Sequence, residues 1–190
     1  MKRLRSKQLK LLKDSPRAYG GDLRKTRKGR QGARPLDTQN SLHLILKSSK
    51  ATGAWSFALK PNRLKIERIV RKFSLKYGVK VYSTANVGNH LHFQLKLGNR
   101  YTYDPFIKAI TSAIAMAITG ASRWKPLVAM GVKQFWDQRP YSRVLKSFRE
   151  LLNLSDYIQI NRLEGYGYNR ALARMIVESS PAKPWRFSSA

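Results

Sequence analysis

The chain has 190 residues, of which 42% are hydrophobic, and its 38 Lys and Arg against 10 Asp and Glu give a formal net charge of +28. This apolar content is sufficient for the core of one ordinary domain, which excludes a chain that is disordered throughout. The sequence contains no cysteine, which excludes a disulfide framework, a thiolate metal site and a cysteine nucleophile.

The charge predicts a polyanion as the partner. Lys and Arg occur in every segment and are interleaved with Tyr, Trp and Phe, a pattern that suits phosphate contacts combined with base stacking. We therefore favour nucleic acid over a membrane surface, the rival polyanion. Charge alone does not separate a sequence-independent binding protein, such as a ribosome-associated one, from an enzyme that acts on nucleic acid.

Neither a membrane span nor a secretory leader is predicted. The longest apolar stretch, residues 109–120, is much shorter than the roughly 20 residues that cross a bilayer. The N-terminus alternates Leu with Lys and lacks a continuous apolar region. We expect no membrane partner and a cytoplasmic, nucleoid-associated protein.

Alternating hydrophobicity predicts strands over residues 41–48, 79–85 and 90–97. The last is the most regular, since every second residue from Leu91 to Leu97 is apolar. If the apolar sides pack on helices, the opposite face of the sheet carries His43, His90, His92, Gln94 and Lys96.

Three helices and a further strand complete the pattern. The further strand includes Phe135-Trp136 and residues 141–145, and Arg139-Pro140 interrupts it, which confines it to a sheet edge or a strand start. A short helix is predicted within residues 169–190. The first main helix is predicted to start at Pro61 and to stop at Gly78. The second starts after the N-cap Asp104, with Pro105 at N1, and stops at Gly120. The third starts at Ser147, which forms a capping box with Glu150, and stops near Gly165.

The order of elements predicts an α+β fold, a ferredoxin-like antiparallel sheet with helices on one face. Residues 1–35 hold 13 Lys or Arg against two Asp and lack sustained periodicity, so they are predicted to form a flexible basic arm. The domain itself is expected over residues 36–168, and residues 169–190 are expected to form a C-terminal tail.

Two of the three histidines lie at i and i+2 in the third strand, which places both imidazoles on one side. His90 and His92 could therefore bind one divalent ion. A short motif of this kind is also compatible with two solvated side chains on a polar face.

The last main helix carries Tyr157 and Asn161 at i and i+4, so a phenol and an amide oxygen share one helix face. If that face lies across the sheet, Asn161 would complete a three-ligand set and Tyr157 would be a candidate nucleophile. The alternative for Tyr157 is an ordinary aromatic at the edge of the core.

These segments resemble a known family. His90-Leu91-His92 resembles the HUH motif (histidine, hydrophobe, histidine) of single-tyrosine transposases, and residues 156–161 (DYIQIN) resemble the YIxxN segment of REP-associated tyrosine transposases. Residues 135–144 (FWDQRPYSRV) resemble the FWQRxYxxRV segment of that family. The three motifs keep the family's order over roughly residues 36–168. Asn161 is followed by Arg162 where the family commonly has proline.

The resemblance implies a DNA nicking and strand-transfer enzyme that acts on single-stranded or hairpin DNA. In it, Tyr157 would attack a phosphodiester to give a 5′-phosphotyrosine and a free 3′-OH. His90, His92 and Asn161 would bind Mg²⁺ or Mn²⁺. We further expect DNA contacts from Lys96, Arg139, Arg143 and, in the basic arm, Arg27, Lys28 and Arg30. His43, Gln94 and Lys96 could also orient ligands, although the simpler interpretation of each is a solvated polar position.

Two alternatives remain open. One is a non-catalytic DNA- or RNA-binding protein whose open sheet face stacks bases on aromatic side chains. The other is an HUH replication-initiator or relaxase nuclease, and the short chain disfavours a full relaxase. The sequence also leaves open whether the chain is a monomer or a homodimer, and on which sheet the tyrosine helix docks.

Overall fold

The computed structural model describes residues 36–180, so the expected basic arm, with Arg27, Lys28 and Arg30, lies outside the described residues. Within that range four strands and four α-helices follow one another. They are β1 (Leu42–Lys47), α1 (Lys60–Tyr77), β2 (Val79–Asn86), β3 (His90–Leu97), α2 (Tyr103–Thr119), β4 (Tyr141–Val144), α3 (Phe148–Gly165) and α4 (Arg170–Ser179).

The strands form one antiparallel sheet in the order β2-β3-β1-β4. β1 and β3 lie at the centre, and their register pairs Ile45 with His92 and Lys47 with His90. β4 occupies an edge, as the interrupting proline predicted. Helices were expected on one face of this sheet; α1 and α2 lie there, and α3 lies across the other face.

Helices α1 and α2 cover one face and enclose the main core. The leucines of β1 and the apolar residues of β3 pack there against Phe57, Ile110 and Ile114, all of which are fully buried. Helix α1 ends where predicted, because Gly78 adopts the left-handed conformation with φ of 62° that an L side chain rarely takes.

Helix α3 crosses the other face, over β2 and β3. Leu154 and Ile158 pack there against Ala85 and Leu145 in a second, smaller core. The end of α3 approaches β2 so closely that a Cβ at Gly165 would lie 2.0 Å from the carbonyl oxygen of Asn86. Helix α4 packs on α3 through Ala173 and Val177, which are buried. The sheet face that the sequence left open is therefore covered over β2 and β3 by a helix.

The capping predicted for α3 is present. Ser147 is the N-cap, its hydroxyl accepts from the backbone N–H of Glu150, and the Glu150 carboxylate accepts from the backbone N–H of Lys146.

Two other local predictions, the start of α2 and a strand at Phe135-Trp136, were wrong. Helix α2 begins at Tyr103 and not after an Asp104 cap, because a 3-10 turn over Arg100–Thr102 runs directly into it.

Phe135 and Trp136 do not form a strand. Phe135 is buried against Phe57, and the indole N–H of Trp136 donates to the carbonyl of Thr111, so both rings anchor the connection between α2 and β4 to the core. Within residues 36–180, no helix has the length and apolarity required to span a bilayer.

Candidate active site

The two histidines of the HUH-like motif lie side by side at the start of β3. Their ring centroids are 4.8 Å apart and the rings are nearly perpendicular. His92 is 2% exposed, whereas His90 is half-buried. The i, i+2 spacing thus places both imidazoles on the α3 side of the sheet.

One nitrogen of each imidazole is engaged by a neighbouring side chain. Nδ1 of His90 lies 2.6 Å from Oδ1 of Asn89, and Nδ1 of His92 lies 3.2 Å from Nε2 of His43 on β1. Among the described residues, Nε2 of His92 is buried and has no hydrogen-bond partner. A buried ring nitrogen without a hydrogen-bond partner is a position that a metal ion would satisfy when the proton of the ring lies on the other nitrogen.

Burial favours the neutral form of all three histidines. Burial lowers the pKa of His92 to about 3, with further lowering by His90 and His43, and burial lowers the pKa of His43 to about 4 with help from Arg143. The pKa of His90 is lowered by burial and by Lys47, while Glu164 acts in the opposite direction. Neutral imidazoles are the form that binds divalent metals.

Tyr157 reaches the histidines from α3 of the same chain. Its ring centroid lies 5.3 Å from that of His92, at an interplanar angle of 88°, and 6.2 Å from that of His43. Ile158, which is 1% exposed, anchors this turn of α3 on the sheet, while Tyr157 is 36% exposed. Tyr157 is therefore a partly exposed phenol that borders two imidazoles.

Asn161 lies one turn after Tyr157 and is buried, at 3% exposure. Its Nδ2 donates to the backbone carbonyl of Tyr157 at 2.7 Å, which commits the NH₂ end of the amide and leaves Oδ1 as the group that can ligate. Glu164 follows three residues later, and its carboxylate accepts from Arg170 of α4. Helix α3 therefore presents a phenol, an amide and a carboxylate on one side.

The donor set has the chemistry to bind a divalent cation. In residues 36–180 no group of three His, Cys, Asp or Glu is arranged to bind a metal, so a third protein ligand has to be an amide or a carbonyl. The imidazoles of His90 and His92, the latter through its buried Nε2, and the amide oxygen of Asn161 would supply such a set, and water or phosphate oxygens would fill the other positions.

The three described residues expected to contact DNA differ in exposure and in the partners of their charges. Arg139 is exposed and, within residues 36–180, makes no hydrogen bond or ion pair. Arg143 is exposed too, but its guanidinium is paired with Glu150. Lys96 is half-buried and lies opposite Lys80 in the β2–β3 register. Among residues 36–180 neither Arg139 nor Lys96 has an acidic partner, and Arg139 is the more exposed of the two.

The expectation that His43 and Gln94 are solvated was wrong. Gln94 is 6% exposed and accepts from the Ser83 hydroxyl, while His43 contacts His92, Tyr141 and Tyr157. Both are covered because α3 crosses this face. Asn89, immediately before β3, holds the ring of His90, and the sequence analysis did not predict this contact. Strand alternation placed His43 on this face, but its contact with His92 depends on the pairing of β1 with β3.

Comparison with known proteins identifies the fold. No family model and no curated protein matches the sequence. Among solved structures, the REP-associated tyrosine transposase bound to a REP hairpin superposes with a TM-score of 0.54 and 13% identity, over 74% of this chain and 76% of that one. A predicted transposase from Deinococcus radiodurans R1 gives a TM-score of 0.43 and 17% identity, over 71% of this chain and 96% of that one. At these identities the first likeness shows the fold: this chain has the α+β fold, with a four-stranded antiparallel sheet, of the REP-associated tyrosine transposase.

Proposed function

We propose that this protein is a metal-dependent single-tyrosine nuclease and strand transferase that cleaves and rejoins DNA in transposition or recombination. The observation that carries the proposal is the position of Tyr157, whose ring lies 5.3 Å from that of the buried, neutral His92. The shared fold and the ordered motifs support the same chemistry. A tyrosine that only filled the core would not be 36% exposed at the one place where two imidazoles meet.

The proposed reaction begins with attack by the Tyr157 phenolate oxygen on a DNA phosphorus. The P–O3′ bond breaks, the leaving oxygen takes up a proton to become a 3′-OH, and the phosphate stays attached to Tyr157 at the 5′ end of the other fragment. Rejoining reverses the step: a 3′-OH attacks the phosphotyrosine and the phenol leaves. No external energy source is needed, because the covalent link conserves the phosphodiester bond.

A cation bound by His90, His92 and Asn161 would neutralise charge on the scissile phosphate. The protein has its own part in the step. The edges of His43 and His92 confine the phenol of Tyr157 on two sides. Since an unperturbed phenol has a pKa of about 10, the attacking oxygen would depend on the positive charge of that cation at neutral pH.

The proposed substrate is a hairpin-bearing single strand of DNA. The solved structure that shares the fold is bound to a REP hairpin. The net charge of +28 supplies the phosphate contacts that such a substrate demands. Arg139, whose guanidinium is exposed and uncommitted among the described residues, is the first candidate for such a contact.

The proposal is tested with a hairpin-bearing oligonucleotide, labelled at either its 5′ or its 3′ end, and Mn²⁺. We expect a covalent protein–DNA adduct on a denaturing gel that carries the 3′ label, and a free 5′-labelled fragment ending in 3′-OH. Tyr157→Phe and His90→Ala should abolish the adduct. Tyr141→Phe is the matched control, since Tyr141 also lies beside His43 and should not be needed.

An adduct formed by Tyr157→Phe would place the nucleophile elsewhere, and an adduct carrying the 5′ label would reverse the polarity of the link. If the wild-type protein binds the oligonucleotide, forms no adduct and loses nothing on substitution of His90 or Tyr157, the chain is a nucleic-acid-binding module on the same fold.

A further inference from the structure

We propose that His43 is a positioning residue for the metal site: it accepts a hydrogen bond from Nδ1–H of His92 and thereby leaves Nε2 of His92 as the nitrogen that binds the cation. The inference rests on the proposed function, because it assigns a role to His43 at the proposed cation site.

The contact between the two rings is direct. Nε2 of His43 lies 3.2 Å from Nδ1 of His92, and the rings stack with centroids 5.5 Å apart and planes 21° apart. His43 therefore meets the nitrogen of His92 on the side of the ring away from Nε2. This placement excludes His43 as a third ligand beside Nε2 of His92, because its own Nε2 is committed to the opposite side.

The hydrogen bond has two possible directions, and only one suits a metal. If Nε2–H of His43 donates, then His92 carries its proton on Nε2, where it is buried without an acceptor among the described residues. If Nδ1–H of His92 donates, Nε2 of His92 has a lone pair that a cation can use. A bound cation therefore selects the second arrangement, with His43 as acceptor.

The neighbouring histidine shows the same arrangement with a different partner. Nδ1 of His90 lies 2.6 Å from Oδ1 of Asn89, and an amide oxygen can only accept, so His90 carries its proton on Nδ1. Both ligands then direct Nε2 away from their supporting residue. In this arrangement His43 accepts from Nδ1–H of His92, just as Asn89 accepts from Nδ1–H of His90.

The scaffold holds His43 firmly enough for this role. Leu42 and Leu44 on either side of it are 0% exposed, and β1 is paired on both edges, with β3 and with β4. Arg143 lies opposite His43 in the β4 register. An imidazole fixed in this way on a central strand is a suitable acceptor.

The first test measures Mn²⁺ affinity of the full chain by the electron paramagnetic resonance signal of free Mn²⁺. His43→Phe keeps a ring but removes the acceptor, and we expect it to weaken Mn²⁺ binding about 10- to 100-fold, the range seen when a supporting residue of a metal ligand is lost. His43→Gln retains an acceptor and should stay within a few-fold of wild type. Equal Mn²⁺ affinity in wild type and a folded His43→Phe would overturn the inference.

The second test reports on the tautomer and does not depend on any variant. In ¹⁵N-histidine-labelled protein saturated with Mg²⁺, long-range ¹H–¹⁵N spectra should show His92 protonated at Nδ1 with a proton-free Nε2. Protonation of His92 at Nε2 in the Mg²⁺-saturated protein contradicts the inference, even if His43→Phe fails to fold.

Failure of this inference and failure of the proposed reaction give different results. Tight Mn²⁺ binding that depends on His43, without any DNA adduct, supports the positioning role and contradicts the proposed cleavage reaction. If His43→Phe forms the adduct and binds Mn²⁺ with wild-type affinity, the result supports cleavage and contradicts the positioning role. A wild-type protein that binds no Mn²⁺ overturns the role of His43 directly.

Discussion

The phenol ring of Tyr157 lies edge-on to the imidazole of His92 in the same chain, with ring planes 88° apart. Helix α3, which carries the tyrosine, is packed on its own sheet through Leu154 and Ile158. The candidate nucleophile and the candidate histidine ligands are therefore brought together within one chain, and we predict that one chain suffices for the proposed reaction.

Complementation tests this prediction. A mixture of Tyr157→Phe and His92→Ala proteins, each inactive alone, should form no covalent adduct, because neither chain holds both groups. Adduct formation in the mixture would mean that α3 exchanges between two copies. A mixture of wild type with either variant serves as the control and should form adduct in proportion to the wild-type chain.

Asn161 is expected to be required for metal binding through its amide oxygen. Asn161→Ala should weaken Mn²⁺ binding about tenfold or more. Asn161→Asp keeps an oxygen at the same position, so its Mn²⁺ affinity should not fall below that of Asn161→Ala. The measurement is Mn²⁺ titration, with thermal melting as a check on folding. Asn153→Ala, on an exposed position of the same helix, is the control and should change neither. Unchanged affinity in Asn161→Ala would remove Asn161 from the ligand set.

Gly165 is expected to tolerate no side chain. A Cβ there would lie 2.0 Å from the Asn86 carbonyl oxygen, so α3 must move away from β2 to accept alanine. We expect Gly165→Ala to lower the free energy of unfolding by about 1–3 kcal/mol, in the range of overpacked sites. Because α3 also carries Tyr157, adduct formation should fall too. Arg149→Ala, exposed on the first turn of α3, should leave both unchanged; wild-type stability in Gly165→Ala would show that the contact is not tight.

The start of α3 should depend on pH through Glu150. Its pKa lies below the ordinary 4.5, chiefly because the carboxylate accepts from the backbone N–H of Lys146, with Arg143 contributing. A lowered folded-state pKa stabilises the protein above pH 4.5, and this contribution is lost as the pH falls through the lower folded-state value. We expect Glu150→Gln to lower the melting temperature at pH 7 by about 2 °C. The difference should vanish at acidic pH; a difference that persists there would show that the charge of Glu150 is not its source.

Arg139 and Arg143 should differ in their contribution to DNA binding. Within residues 36–180, Arg139 has no partner for its charge, whereas Arg143 is paired with Glu150. We expect Arg139→Ala to reduce the slope of log affinity against log salt by about 0.7–0.9, as for the loss of one phosphate contact. Arg143→Ala should reduce it less. The slope is measured by titrating a labelled hairpin oligonucleotide between 50 and 200 mM salt, the range over which such contacts are resolved; equal slopes for wild type and Arg139→Ala would exclude the contact.

Local sequence patterns were sufficient to predict most of the secondary structure. The alternation around His92 defines β3, the glycine at position 78 ends α1 in the left-handed conformation, and the Ser147–Glu150 pair marks the start of α3. These features are set by residues a few positions apart, so a single sequence contains them. The failures, at Asp104 and at Phe135-Trp136, occurred where a 3-10 turn or core packing overrode the local preference.

The candidate site was predicted only as a set of residue types. From the chain alone, His90 and His92 share a strand face and Tyr157 and Asn161 share a helix face, because those relations follow from the periods of strand and helix. The tertiary structure decided that the two faces meet, that the meeting occurs within one chain, and that His43 is covered and bonded to His92. Those relations depend on the pairing of β1 with β3 and on the packing of α3 across β2. Such contacts join residues far apart in the sequence, so no local periodicity in the sequence predicts them.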